Sequence, residues 1–199
     1  MKKELIVLIG CIGSGKSYFA NTFNKYNDYN IIDLSDYIRD FAWSILGWKP
    51  KNEKEYEIFK KKSVKFNTNN EITGRRFLQN LGTGTIGDDT LITKWLEKVR
   101  LSNKSVIVSD VRRLSQLETT LQMRHEFKVK IYFTNYKSER YDCTNEDKTE
   151  KLAQYINQKC DIISDSNLNN ISTSDISNLH DITDWVISNF NIMIADLKD

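Results

Sequence analysis

The chain has 199 residues, of which 29 are lysine or arginine and 27 are aspartate or glutamate. This length suits a single domain with enough residues for a sizeable core. A formal net charge of +2 supplies no broad basic field, which argues against a protein that binds nucleic acid non-specifically. No apolar run approaches the ~20 residues needed to span a bilayer, so the sequence excludes an integral membrane protein.

The three cysteines are Cys11, Cys143 and Cys160. Their number is odd and their spacing is not that of a metal site, so we expect reduced thiols and a cytoplasmic protein. The apolar residues 5–9 (LIVLI) are too few for a secretory signal, and no small-residue cleavage site follows them. They are predicted to form a strand.

Apolar runs and helical spacing alternate along the chain. Strands are predicted at residues 5–9, 31–32, 106–108, 129–133 and 162–163. Helices are predicted at residues 16–23, 35–46, 53–66, 75–81, 91–101, 114–123 and 182–194. This alternation predicts an α/β fold with a central parallel sheet. The long stretch between the second and third strands is predicted to be a helical insertion, and the polar segment 134–149 is either a mobile flap or a surface loop.

Residues 10–17 (GCIGSGKS) match the phosphate-loop pattern G-x-x-x-x-G-K-[ST]. Glycines let backbone N–H groups surround phosphate, the lysine neutralises β- and γ-phosphate charge, and the hydroxyl of Ser17 is suited to Mg²⁺. The residues assigned to this site are Gly10, Gly13, Ser14, Gly15, Lys16 and Ser17. The pattern follows a strand and begins a helix, as the chemistry requires, whereas a glycine-rich turn that merely caps a helix is the structural alternative.

Two helical segments after the second predicted strand carry candidate residues for a second substrate. Asp36 and Arg39 are one helical turn apart and share a face, so Arg39 is either a phosphate ligand or half of a surface ion pair. Further on, Arg75 and Gln79 lie on a helix that runs into the glycine-rich residues 82–87. Gln79 has an amide suited to a base edge, and an ordinary charged helix that ends at glycine is the alternative.

Two more segments carry candidate charges for the reaction. Asp110 follows the apolar run 106–108, and ligands of open α/β sheets bind beyond the carboxyl ends of strands. Asp110 is therefore a candidate for orienting a metal-bound water or a substrate hydroxyl and Arg112 for contacting phosphate, unless Asp110 only caps a helix. Arg140 lies in the polar segment and is either a mobile arginine that closes over a transferring phosphoryl group and stabilises its charge, or an exposed arginine without that role.

Four of these segments, in order, resemble the phage-type deoxynucleoside monophosphate kinases, a branch of the P-loop nucleoside monophosphate kinases. The segments are residues 10–17, residues 34–47 (LSDYIRDFAWSILG), residues 75–83 (RRFLQNLGT) with Trp95 downstream, and residues 110–112 (DVR). Residues 160–165 (CDIISD) are similar to the final strand of that family. The combination of R-x-x-L-Q-x-L-G-T with a strand-end D-V-R is more selective than the phosphate loop alone.

The resemblance implies a three-layer αβα P-loop kinase that transfers the γ-phosphoryl group of ATP, with Mg²⁺, to a (deoxy)nucleoside monophosphate. It implies one domain over residues 1–199, with a core of 1–34, 104–133 and 158–199, a helical acceptor region of 35–103 and a short lid of 134–150. Lys16, Arg112 and Arg140 would be catalytic. The acceptor would contact Asp36, Arg39, Arg75, Gln79, Gly82, Thr83, Trp95, Asp110 and Arg112. No nucleic-acid or membrane partner is implied, a homodimer is compatible, and the location would be the host cytoplasm for a phage-encoded chain.

The chain departs from the family pattern after D-V-R and after G-T. Residues 113–116 (RLSQ) replace the usual Phe-Pro-Asn-Glu, and Gly84 stands where a glutamate is common. A less charged acceptor wall suggests broad base specificity. The alternatives are a dephospho-coenzyme A or phosphomevalonate kinase, a nucleotide-binding regulator without transfer activity, and a kinase of nucleic-acid ends.

Overall fold

A computed structural model describes residues 2–65, 71–135, 139, 142–143, 150–163 and 179–197. At residues 65, 83 and 160–163 it describes the backbone alone. The chain divides into two units, one of Met1–Asp33 with Leu101–Asp199 and one of Leu34–Arg100. The second unit nearly coincides in range with the predicted helical region 35–103.

The first unit is built on a five-stranded sheet in the order β2-β5-β1-β6-β7. Its strands are β1 (Glu4–Ile9), β2 (Asn30–Ile31), β5 (Val106–Val108), β6 (Lys128–Thr134) and β7 (Leu179–Asp181). The first four are parallel, with Leu5 opposite Val106 on one side and Val129 on the other, and β7 runs antiparallel to β6. The predicted α/β fold is therefore confirmed, and the sheet predicted to be parallel is parallel except for β7.

Helices flank this sheet, in keeping with a three-layer αβα arrangement. They are α1 (Lys16–Asn27), α6 (Leu114–Gln122) with a 3-10 turn at Met123–His125, α7 (Lys151–Ile163) and α8 (Thr183–Leu197). Phe19 of α1 packs with Ile6, Leu8 and Ile107 of the sheet in one apolar cluster. Five of the six residues of β1 are buried, as expected for a central parallel strand covered on both faces. None of the helices in the described residues has the length and apolar character needed to cross a membrane.

The second unit is helical with one small hairpin. It contains α2 (Ser35–Leu46), α3 (Glu53–Lys61), the antiparallel strands β3 (Ser63–Lys65) and β4 (Glu71–Thr73), α4 (Gly74–Asn80), a π-helix at Leu81–Ile86 and α5, which begins at Asp88 and ends at Leu101. Its core joins Ala42, Phe59, Phe77 and Leu81. Trp43 stacks edge-on against Phe59 with ring centroids 5.0 Å apart, so aromatic packing stabilises this unit.

Two predicted elements are wrong in detail. Residues 162–163 end the helix α7 instead of forming the final strand, and the last sheet strand is the antiparallel β7. The predicted helix 53–66 stops at Lys61, after which the chain enters the hairpin. Most of the glycine-rich residues 82–87 belong to the π-helix.

Candidate functional site

The loop between β1 and α1 has the backbone shape that its glycines allow. Gly13 and Gly15 have φ values of 74° and 85°, in the left-handed region that glycine tolerates best. The N–H of Ser14 donates to the carbonyl of Cys11 over 3.1 Å, which closes a tight turn. The first residue of α1 is Lys16, so the positive end of that helix faces the loop.

A buried pair of hydroxyls fastens this loop to the sheet. Ser14 is fully buried, and its Oγ lies 2.8 Å from Oγ1 of Thr134, the last residue of β6. Thr134 Oγ1 also donates to the carbonyl of Ile9 at the end of β1. The loop is therefore held at the carboxyl ends of two neighbouring parallel strands, where ligands of open α/β sheets bind.

The ammonium group of Lys16 is turned into the loop. Its Nζ donates to the carbonyl oxygens of Gly10 and Cys11 over 2.7 and 2.9 Å. Burial, together with the nearby positive charge of Arg112, lowers the pKa of Lys16 to about 8. The carboxylates of Glu150, Asp110 and Asp33 act in the opposite direction. Lys16 is thus a desolvated cation that gains from any added negative charge.

Acidic side chains follow the two strands on the β2 side of the sheet. Asp33 comes just after β2 and accepts from the backbone N–H of Ser109 over 2.6 Å and from its hydroxyl over 3.0 Å. Asp110 comes just after β5 and interacts electrostatically with Lys16. Both carboxylates therefore lie at the carboxyl edge of the sheet, on the side where the loop is fastened.

Arg112 is held by a buried carboxylate. Its Nη1 donates to Oε1 of Glu150 over 2.8 Å, and the Glu150 side chain is 3% exposed while that of Arg112 is 42% exposed. The amide oxygen of Gln116 accepts from the backbone N–H groups of Arg112 and Arg113. The N-cap residue of α6 is Arg113, so the alternative in which Asp110 is the N-cap of this helix is wrong.

In the second unit, Arg39 is fixed on the first turns of α2. Its guanidinium forms an ion pair with Asp36, donates to Ser35 Oγ over 3.0 Å, and lies 5.8 Å from the ring centroid of Tyr56. The predicted shared face of Asp36 and Arg39 is confirmed. These contacts hold the guanidinium in one orientation while its side chain stays 29% exposed.

The other acceptor residues of the second unit differ in exposure. Arg75 is exposed on the first turn of α4, and Gln79 is half-buried near the end of that helix. Gly82 is buried, and a Cβ there would lie 2.7 Å from Cδ1 of Ile38. Trp95 is only 2% exposed within α5. Thr83 belongs to the π-helix, a form that is frequent at functional sites.

The segment predicted as a flap or lid is described in part. Arg140 lies outside the described residues. Asp142 donates its backbone N–H to the carbonyl of Ile12, in the loop between β1 and α1, over 2.9 Å. Its neighbour Cys143 forms a disulfide with Cys11, and their Cα atoms are 5.1 Å apart. The prediction that all three thiols are free is therefore wrong, because two cysteines far apart in sequence meet at the loop.

Sequence reasoning missed three residues of this site. Asp33 follows a predicted strand, as Asp110 does, so the strand-end argument that selected Asp110 applies equally to Asp33. Thr134 is the last residue of β6, so the same strand-end argument selects it as a candidate site residue. Glu150 lies in a polar stretch and has no local signal, because the residue it binds, Arg112, is 38 positions away in the chain.

No protein-family model matches the chain, and no curated protein is significantly similar to it.

Proposed function

We propose that this protein is a deoxynucleoside monophosphate kinase of the P-loop type, which transfers the γ-phosphoryl group of ATP to a (d)NMP to give ADP and a (d)NDP. The observation that carries the proposal is the loop at the carboxyl end of the central strand β1. It combines left-handed Gly13 and Gly15, a helix N-terminus and the desolvated ammonium of Lys16. Such a loop is suited to a polyphosphate because every one of these features favours anions.

The residues around the loop suit Mg²⁺. Ser17 presents an exposed hydroxyl on the first turn of α1, and Asp33 and Asp110 bring carboxylates to the same edge of the sheet. Among the described residues there is no group of three or more histidine, cysteine, aspartate or glutamate side chains suited to a metal. This donor set fits Mg²⁺, which takes few protein ligands and uses substrate phosphates and water for the rest. When bound, the ion neutralises charge on the β- and γ-phosphate oxygens.

Transfer then depends on position and charge. An oxygen of the acceptor phosphate attacks the γ-phosphorus, and the bond from that phosphorus to the β–γ bridging oxygen breaks, so that ADP carries away the electron pair. The acceptor oxygen is already anionic and requires no strong general base. Lys16 and Arg112 stabilise the charge that spreads over the transferring group, and Glu150 holds Arg112 in place. We assign acceptor binding to Arg39, Arg75 and the other residues named above in the second unit.

A panel of acceptors tests the proposal. The purified protein, ATP and MgCl₂ are incubated with each (d)NMP and NMP, dephospho-coenzyme A, phosphomevalonate and a 5′-hydroxyl oligonucleotide, and ADP release is coupled to NADH oxidation. We expect turnover with several (d)NMPs, because the acceptor segment is poor in charge around Gly82 and Gly84. Turnover with one base alone contradicts broad specificity. Turnover only with dephospho-coenzyme A, phosphomevalonate or the oligonucleotide contradicts a nucleotide as the acceptor. No turnover with any acceptor of the panel contradicts the proposed kinase activity.

Glu150→Gln is expected to reduce kcat/KM for ATP about ten- to a hundredfold, because Arg112 loses its buried counter-ion and its fixed position. The substitution also removes a negative charge that raises the pKa of Lys16. The alkaline limb of the kcat/KM profile, expected near pH 8 in the wild type, therefore moves to lower pH. Steady-state kinetics between pH 6 and 10 measure both effects.

A matched control for this change is Asp28→Asn, which makes the same acid-to-amide replacement in an exposed ion pair with Lys104. Exposed pairs contribute little, and asparagine tolerates the left-handed backbone of residue 28, so the pH profile should stay at the wild-type position. An unchanged alkaline limb in Glu150→Gln, with a lowered melting temperature, would assign Glu150 a structural role only.

A further inference from the structure

The phosphate loop and residue 143 are connected by two kinds of contact. The backbone bridge between Ile12 and Asp142 places the two segments side by side. Next to it, the Cα atoms of Cys11 and Cys143 are 5.1 Å apart, within the range of native disulfides. The cysteines are 132 positions apart in sequence, so their meeting reflects the fold and not local chain geometry.

Of the two cysteines, Cys11 is the one that also contacts Lys16. Its carbonyl accepts from Lys16 Nζ over 2.9 Å and from the N–H of Ser14 over 3.1 Å. A disulfide to Cys143 restrains Cys11 and with it one of the two carbonyls that bind Lys16 Nζ. A phosphate ligand of Lys16 has to compete with these carbonyls for the ammonium, and we expect the restraint on Cys11 to make this exchange less favourable.

We propose that Cys11 and Cys143 form a reversible thiol–disulfide site at which a small-molecule disulfide of the glutathione type oxidises the protein and weakens nucleotide binding. The effect on binding rests on the proposed nucleotide site, whereas disulfide formation does not. Cys11 is fully buried and Cys143 is half-buried, so Cys143 is the sulfur that the small disulfide reaches first.

The reaction is a two-step exchange. The Cys143 thiolate attacks one sulfur of glutathione disulfide, which breaks that S–S bond and releases one glutathione thiolate. The Cys11 thiolate then attacks the Cys143 sulfur of the mixed disulfide and displaces the second glutathione thiolate. The two cysteines lose two electrons and two protons, glutathione disulfide gains both, and two molecules of glutathione leave. Excess glutathione reverses both steps.

Thiol counting and ATP titration test this site together. Wild type, Cys143→Ser and the matched control Cys160→Ser are equilibrated in buffers of varied glutathione and glutathione disulfide, alkylated and weighed by mass spectrometry. The wild type has three thiols when reduced. We expect the oxidised wild type and Cys160→Ser each to lose two thiols to an internal disulfide, and Cys143→Ser to form none.

ATP dissociation constants are measured on the same samples by calorimetry. We expect oxidation to weaken ATP binding at least about tenfold in wild type and Cys160→Ser, with recovery in dithiothreitol and no such change in Cys143→Ser. The proposal is overturned if the thiol count stays constant at every ratio, or if the oxidised and reduced wild type bind ATP equally. Reduced wild type that binds no ATP at all would instead overturn the proposed function, while the thiol count still reports on the pair.

Discussion

Replacing Lys16 by alanine is expected to lower kcat/KM for ATP by about a hundred- to a thousandfold. The ammonium is partly buried beside the loop carbonyls, so its attraction to the phosphoryl group in the proposed reaction would be screened only weakly by bulk water. The pH profile adds a second signature. Because the pKa of Lys16 is about 8, wild-type kcat/KM is expected to fall as the pH rises through that value, and this limb should vanish in the alanine variant.

The matched control for Lys16→Ala is Lys25→Ala in the last turn of the same helix. Lys25 lies over the ring of exposed Tyr26, far along α1 from the loop, and its loss should leave kcat/KM unchanged. Chemical unfolding followed by far-ultraviolet circular dichroism checks that both variants stay folded. Near-wild-type turnover in a folded Lys16→Ala protein would contradict the assignment of this lysine to phosphate.

The turn at residues 10–15 and the helix start at Lys16 could be predicted because their sequence signals are local. Eight adjacent residues specify a turn, a cation and a helix start, and the apolar run before them specifies a buried strand. The structure places the loop between β1 and α1 for the same reasons. The helix 35–46 was also predictable, since its apolar residues recur at helical spacing over a full twelve residues.

Short elements were not predictable in the same way. Residues 162–163 are two apolar residues, and such a pair fits a strand or a helix equally well. The helix assignment depends on Leu152, Ala153 and Ile156, which are buried on one face of α7. The strands of the hairpin are three residues long and form because they pair with each other, which no single stretch of sequence records.

Partners distant in sequence account for the rest of what was missed. Glu150 binds Arg112, and the hydroxyl of Ser14 binds that of Thr134, which lies 120 positions later in the chain. The pairing of Cys11 with Cys143 has no signal in the spacing of three cysteines. Such contacts depend on how strands are ordered in the sheet, and the order β2-β5-β1-β6-β7 becomes known only from the fold.

Gly10→Ala is expected to destabilise the first unit by about 1–3 kcal/mol, because the loop has no room for a methyl group. A Cβ at residue 10 would lie 2.4 Å from Ser14 Oγ, 2.4 Å from Thr134 Oγ1 and 2.5 Å from the backbone oxygen of Thr134. All three atoms belong to buried residues, so either β6 or the loop has to shift to accommodate the added methyl group. Urea denaturation measures the loss in the free energy of unfolding. ATP titration should show weaker binding, because the displaced loop no longer presents its backbone N–H groups together.

Gly84→Ala is the control, since a Cβ at that position has open space within 4 Å and the backbone there needs no left-handed φ. Its unfolding midpoint should stay within error of the wild type or rise slightly. A second comparison isolates the overlap with the Thr134 hydroxyl. Adding Thr134→Ala to Gly10→Ala removes the clash with Oγ1 but retains the clashes with Ser14 Oγ and the Thr134 carbonyl, so the glycine substitution should cost less, but still destabilise, when it is measured against Thr134→Ala alone. No cost in the Thr134→Ala background would place the conflict in Oγ1 alone, whereas a wild-type midpoint for Gly10→Ala would show that the loop is not clamped between β1 and β6.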